Sequence, residues 1–160
     1  RRSYKPMIIS SESIKLNFYE EPKFVTGNSK KIEQNLITFY KFFDLKTIDV
    51  EVGFASRQEI KKINLKFRDI NKETNVLSFP NETLETFSNQ CNGEIIFCIQ
   101  VIEEEAKKYQ KEIIDHFLHL LFHSLLHLIG YMHEQERDAI LMEEKEITFL
   151  SKIGINNPYL

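Results

Sequence analysis

The sequence predicts an α+β fold: a mixed sheet of about four strands packed with helices, with a histidine-bearing helix at its centre. The first observation is that segments alternating apolar and polar residues, as half-buried strands do, are interleaved with segments repeating apolar residues every three to four, as helices do. The second is that 160 residues, 42% hydrophobic and 28% charged, suit one domain over 1–160 with a sizeable core. No repeat, low-complexity tract or linker divides them. Helices between strands call for crossovers that allow parallel pairing, while a first or edge strand can run antiparallel. Strand order is not encoded at this level.

Arg1 to Pro6 are polar and basic without an initiator Met, and are read as a processed end, a tag scar or a truncation with no function. Ser13 to Tyr19 alternates Ile14, Leu16 and Phe18 with polar residues, which predicts a strand. After a Thr26-Gly27-Asn28 turn, Ile32, Leu36, Phe39, Tyr40 and Phe43 recur at helical spacing over Ser29 to Phe43. Thr47 to Ala55 alternates again and is rich in β-branched residues. Ser56 followed by Glu59 is a capping-box pair, and the helix it opens is expected to reach about Phe67, with Arg68 closing it. Thr74 to Pro80 is a short apolar run ended by Pro, hence a strand. Asn81 to Asn92 is polar and expected to be a loop; Gly93 to Ile99 is expected to be a buried strand with Cys98 in the core. A helix through Ile102, Ala106 and Tyr109 follows, then one from near Glu112, then a last from about Glu134 to Leu150.

Composition excludes several classes. No charge-free apolar run of about 18 residues and no signal-peptide core occur, so neither a membrane span nor export is expected. Two cysteines, Cys91 and Cys98, lack C-x-x-C spacing and give no disulfide framework, which fits a reducing cytoplasm. A net charge of −3 argues against holding nucleic acid by bulk charge, so any RNA contact needs a local basic patch, and no DNA partner is expected.

All five histidines, His116, His119, His123, His127 and His133, fall within HFLHLLFHSLLHLIGYMH. At about 3.6 residues per turn, His123 and His127 lie on one helix face one turn apart. Gly130 follows where a glycine can take the left-handed conformation that ends a helix, so the chain can double back and bring His133 to the same point. Three imidazoles from a helix and its following turn make the open ligand set of a catalytic zinc site, one ion per chain, with a fourth position free. His119, one turn before His123 on the same face, is expected to support the site from behind. His116 suits either a hydrogen-bonded core position or the site.

HSLLHLIGYMH resembles the H-G-x-L-H-L-x-G-Y-D-H motif of the YbeY family of metal-dependent endoribonucleases, which act in ribosomal RNA maturation. Ser124 replaces the usual Gly and Met132 the usual Asp, with the three ligand positions intact. NLKFRDINKETNVLSFP is similar to the family's L-N-x-x-Y-R-x-x-D-x-x-T-D-V-L-S-F-P block, with Phe67 for Tyr and Asn75 for Asp. GEIIFCI resembles its G-D-I-x-I segment, and Met142 and Glu146 match its closing M-x-x-x-E block, so the likeness spans roughly residues 47 to 150.

The resemblance implies a catalytic role for Arg68, whose guanidinium fork suits phosphate oxygens. The alternative is a cation at a helix end. Lys61, Lys62 and Lys66 precede it and offer a local basic patch, or a solvated helix face. Three functions compete at this stage. The first is a zinc-dependent single-strand endoribonuclease acting on ribosomal RNA or the ribosome, in rRNA maturation and ribosome quality control. The second is a zinc peptidase, which would lack its general base because Ser124 stands where zincins keep Glu. The third is a non-catalytic, ribosome-associated zinc protein.

Overall fold

The computed structural model describes residues 7–11, 13–84 and 86–160; the expectation for Arg1 to Pro6 lies outside them. Among the described residues the elements are β1 Met7–Ser11, β2 Ile14–Phe18, α1 Lys23–Thr26, α2 Ser29–Phe42, β3 Thr47–Phe54, α3 Arg57–Arg68, β4 Val76–Pro80, β5 Gln90–Phe97, α4 Ile99–Lys108, α5 Ile113–Leu128 and α6 Glu136–Lys152. The strands form one sheet in the order β1-β2-β3-β5-β4. The inner pairs β2/β3 and β3/β5 are parallel, and both edges, β1 on β2 and β4 on β5, are antiparallel. The α+β class and the mixed sheet are as expected, with five strands in place of about four. The additional strand, MIISS, is short and shows little apolar alternation; its pairing with β2, from Met7↔Phe18 to Ser11↔Ile14, makes it a strand.

One face of the sheet carries the main core. Leu16, Phe18, Val50, Val52, Ile95 and Phe97 are fully buried there, against Leu36 and Phe39 of α2, Phe117 and Phe122 of α5, and Phe149 of α6. Phe39 meets Phe149 edge-on with ring centroids 5.1 Å apart, the geometry aromatic quadrupoles favour. A smaller cluster on the other face joins Ile60 of α3 to Leu77 and Cys98. Because α5 lies between this sheet and its neighbouring helices, most of its residues are buried, including Leu121, Leu125 and Leu128. The histidine helix is therefore central, as the sequence predicts.

Element ends differ locally, for physical reasons. The Ser56 and Glu59 capping box forms as expected: Glu59 N–H donates to Ser56 Oγ at 3.2 Å and Ser56 N–H to Glu59 Oε1 at 3.0 Å. Arg68 is the last helical residue of α3, and Asp69, at φ 57°, makes the left-handed turn after it. Thr26 closes the four-residue α1, and Gly27 has ordinary right-handed geometry. Strand β5 begins at Gln90, inside the expected loop. The polar Gln90 and Asn92 hide an alternation that buried Cys91, paired with Ile48, reveals. Gly93 is required where it stands, since a Cβ there would lie 2.4 Å from the Phe79 carbonyl oxygen.

Candidate metal centre

Helix α5 ends in a turn that the sequence around Gly130 dictates. Gly130 takes φ +108°, its N–H donates to the His127 carbonyl at 3.1 Å, and the Tyr131 N–H donates to the Leu126 carbonyl at 3.0 Å. This paired closure reverses the chain after the helix and returns His133 towards it. The rings of His123 and His127 lie 4.8 Å apart, and that of His133 lies 5.9 Å from the first and 4.7 Å from the second. One ligand nitrogen from each falls within a 4.8 Å group, so the three sequence-predicted ligands come together.

The protonation of two of these rings follows from their partners. His127 Nδ1 lies 2.9 Å from the Tyr131 carbonyl oxygen, which only accepts, so the proton is on Nδ1. His123 Nδ1 lies 2.5 Å from Glu146 Oε2. Burial raises the Glu146 carboxyl, but the hydrogen bonds from His119 and His123 outweigh it and hold it down at about 2, so it is ionised and also only accepts. Burial and the neighbouring His123 and His133 lower His127 to about 4, which keeps it neutral. His127 Nε2 is thus left as an acceptor, and it faces His123 Nε2 at 3.2 Å. Two imidazole nitrogens that close, with a nitrogen of His133 in the same group, can share one cation, so the donor set fits a metal ion. A carboxylate holding the far nitrogen of a ligating histidine is the common outer support of such sites.

His119 reaches the site through Glu146. Its Nε2 lies 3.1 Å from Glu146 Oε1, and the Tyr159 hydroxyl donates to the same oxygen at 2.6 Å. His119, His123 and Glu146 form a second group with metal-ligand spacing, but its short contacts are already hydrogen bonds. His116 is a core residue: it is buried, bonded to Glu105 at 3.0 Å, and lowered by burial against the opposing pull of Glu105. Asn75 donates to that same Glu105 oxygen at 2.9 Å, a bond that the family's Asp could not donate.

A cleft of about 250 Å³ opens over the centre, and Arg68, Asn75, His123, His127, His133 and Tyr159 are among its walls. Arg68 is exposed and makes no ion pair among the described residues, whereas Arg57 is held by Glu73 and Glu104. Lys61, Lys62 and Lys66 are exposed on α3 and stand outside the cleft walls, with Lys66 Nζ over the Phe67 ring at 5.3 Å. Met132 is exposed and lines a neighbouring apolar cleft with Phe87 and Leu141. Ser124 is buried, its Oγ without a partner among the described residues. Cys91 and Cys98 are both free and buried, and burial pushes the Cys91 thiol up.

Sequence reasoning assigned no role to Glu146 or Tyr159. Glu146 had a signal: it occupies the buried stripe of α6 with Met142, Phe149 and Leu150, where an ionised side chain needs partners. Tyr159 had none, since its role depends on where the chain after α6 lands.

Fold and site together define an α+β protein built around a histidine helix and the turn that follows it. The sequence profile described as Endoribonuclease YbeY matches residues 17–154. The chain is 39% identical over 112 residues to an Endoribonuclease YbeY of Colwellia psychrerythraea, covering 70% of this chain and 72% of that protein. It is 40% identical over 116 residues to one from Francisella tularensis subsp. holarctica, with 70% and 72% covered. A solution structure from Thermotoga maritima superposes with a TM-score of 0.59 at 28% identity, covering 88% of each chain. The chain belongs to the YbeY endoribonuclease family.

Proposed function

We propose that this protein is a metal-dependent endoribonuclease that cleaves single-stranded RNA in ribosomal RNA maturation and ribosome quality control. One zinc ion per chain is the proposed cofactor, held by His123, His127 and His133, because three imidazoles with room for a further ligand suit that ion. When bound, the ion supplies Lewis acidity, activating water at neutral pH and polarising phosphoryl oxygens.

The chain's own residues do the rest. Glu146 and the Tyr131 carbonyl keep the His123 and His127 protons on Nδ1 and so present Nε2 to the centre. Arg68, in the same cleft and without an ion pair among the described residues, is the proposed phosphate-binding catalytic residue, its donor fork stabilising the charge that builds on the phosphoryl group. Lys61, Lys62 and Lys66 are proposed to meet the RNA backbone further along, beyond the cleft. Cytoplasmic action accompanies this reading, supported by the free thiols of Cys91 and Cys98. Among the described residues no helix is long and apolar enough to cross a membrane.

The observation that carries the proposal is the convergence of His123, His127 and His133, two of their Nε2 atoms 3.2 Å apart, in a cleft that also holds Arg68. The peptidase alternative lacks its base, since Ser124 is buried and Glu146 is committed to three donors. The test is an assay on single-stranded RNA and on casein, each with and without chelator. RNA should be cut, chelator should stop it, zinc should restore it, and casein should stay whole. RNA left intact with metal present overturns the proposal.

A further inference from the structure

We propose that Tyr159 is a positioning residue for the metal centre: its hydroxyl fixes Glu146, and through Glu146 it fixes His123. The inference rests on the reading of His123, His127 and His133 as metal ligands.

Local rules bring Tyr159 to the site. Helix α6 ends at Lys152, and Gly154, at φ +83°, allows the paired closure in which the Gly154 N–H donates to Ser151 at 3.1 Å and the Ile155 N–H donates to Leu150 at 2.8 Å. The chain turns back, and the Asn157 side-chain oxygen accepts from the Tyr159 N–H at 2.8 Å, setting the backbone from which the ring is aimed. The hydroxyl then reaches Glu146 Oε1 at 2.6 Å. Tyr159 lies beyond residue 154, where the family match ends.

The Glu146 side chain has no solvent exposure, so its orientation is set wholly by the groups that donate to it. Oε1 takes two donors, His119 and Tyr159, and Oε2 takes His123. With Oε1 held from two directions, the carboxylate cannot rotate away from His123 without giving up a bond. Burial and the Glu146 bond both raise the Tyr159 phenol, which keeps its proton in place for donation. The Tyr159 residue is itself 48% exposed, its ring meeting only His119, edge-on at 6.2 Å, among the ring contacts of the described residues, whereas its hydroxyl ends on the buried carboxylate that touches His123.

The test measures zinc binding to the full metal-free chain by calorimetry, with no RNA present. Tyr159→Phe, which keeps the ring, should weaken zinc binding about tenfold, the lower end of what losing an outer support costs. In a Glu146→Gln background the same change should alter affinity by no more than about twofold, because the hydroxyl acts through that carboxylate. Asn157→Ala leaves the hydroxyl but frees the backbone that aims it; this second variant should weaken zinc in the same direction by less. Wild-type affinity in Tyr159→Phe, an equal loss in both backgrounds, or a Tyr159→Phe chain that no longer folds overturns the inference and leaves the metal reading standing. A wild-type chain that binds no zinc overturns the metal reading itself, and this inference with it.

Discussion

Glu146 Oε2, on α6, sits 2.5 Å from His123 Nδ1, on α5, and that contact decides which nitrogen of His123 is free. A carboxylate held ionised in a buried place is an acceptor only, so it accepts from His123 Nδ1–H and leaves Nε2 facing His127. The packing of two helices thereby fixes which nitrogen of His123 carries the proton held by Glu146.

That relationship separates the histidines by role. His123→Ala should nearly abolish zinc binding, and His119→Ala should weaken it by about 10–100-fold, since His119 bonds Glu146, which in turn holds His123. Titration calorimetry on both variants checks this. Equal and negligible losses would show that α5 carries a core stripe and not a site.

Arg68 tests the chemistry. Arg68→Ala should leave zinc content and fold intact while lowering cleavage of single-stranded RNA by roughly 10²–10³-fold, the scale of one lost transition-state donor. Arg68→Lys should recover part of that, because an ammonium cannot reproduce a two-pronged contact. Wild-type cleavage by the alanine variant would reduce Arg68 to a cation at the end of α3.

Acid should unfold the metal-free protein in two stages. His127 at about 4, below its usual 6.5, takes up a proton more readily when unfolded, so its contribution is complete above pH 6.5 and is lost as pH falls towards 4. Glu146 at about 2, below its usual 4.5, contributes fully above pH 4.5 and loses that contribution as pH falls towards 2. Thermal melts across this range should fall in both windows. Glu146→Gln should flatten the lower one and His127→Ala the upper; unchanged profiles in both variants would sink the assignment.

Gly130 links fold to site. At φ +108°, with a Cβ position 3.0 Å from the Thr86 carbonyl oxygen and 3.2 Å from Phe87 Cα, alanine there is both strained and crowded. Gly130→Ala should cost about 1–3 kcal/mol of stability and weaken zinc binding, because the turn it makes delivers both the Tyr131 carbonyl and His133. Urea denaturation and calorimetry measure the two effects, and wild-type values in both would refute the coupling.

By itself the sequence determined the features that a few neighbouring residues can encode. Helical spacing put His123 and His127 on one face, Gly130 supplied the turn that brings back His133, Ser56 and Glu59 capped α3, period-two runs located β2 and β3, and short apolar runs located β4 and most of β5. These are short-range consequences of backbone sterics and side-chain period. Tertiary structure decided what depends on distant segments meeting. Strand β1 exists because β2 offers it an edge, Asn75 matters because α4 brings Glu105 to it, and Lys61, Lys62 and Lys66 fall outside the cleft that Arg68 enters. Above all, the packing of α6 against α5, and the turn at Gly154, bring Glu146 and Tyr159 to His119 and His123. No local pattern carries that information, because periodicity says which face of a helix is buried and not which residue of another helix that face will meet.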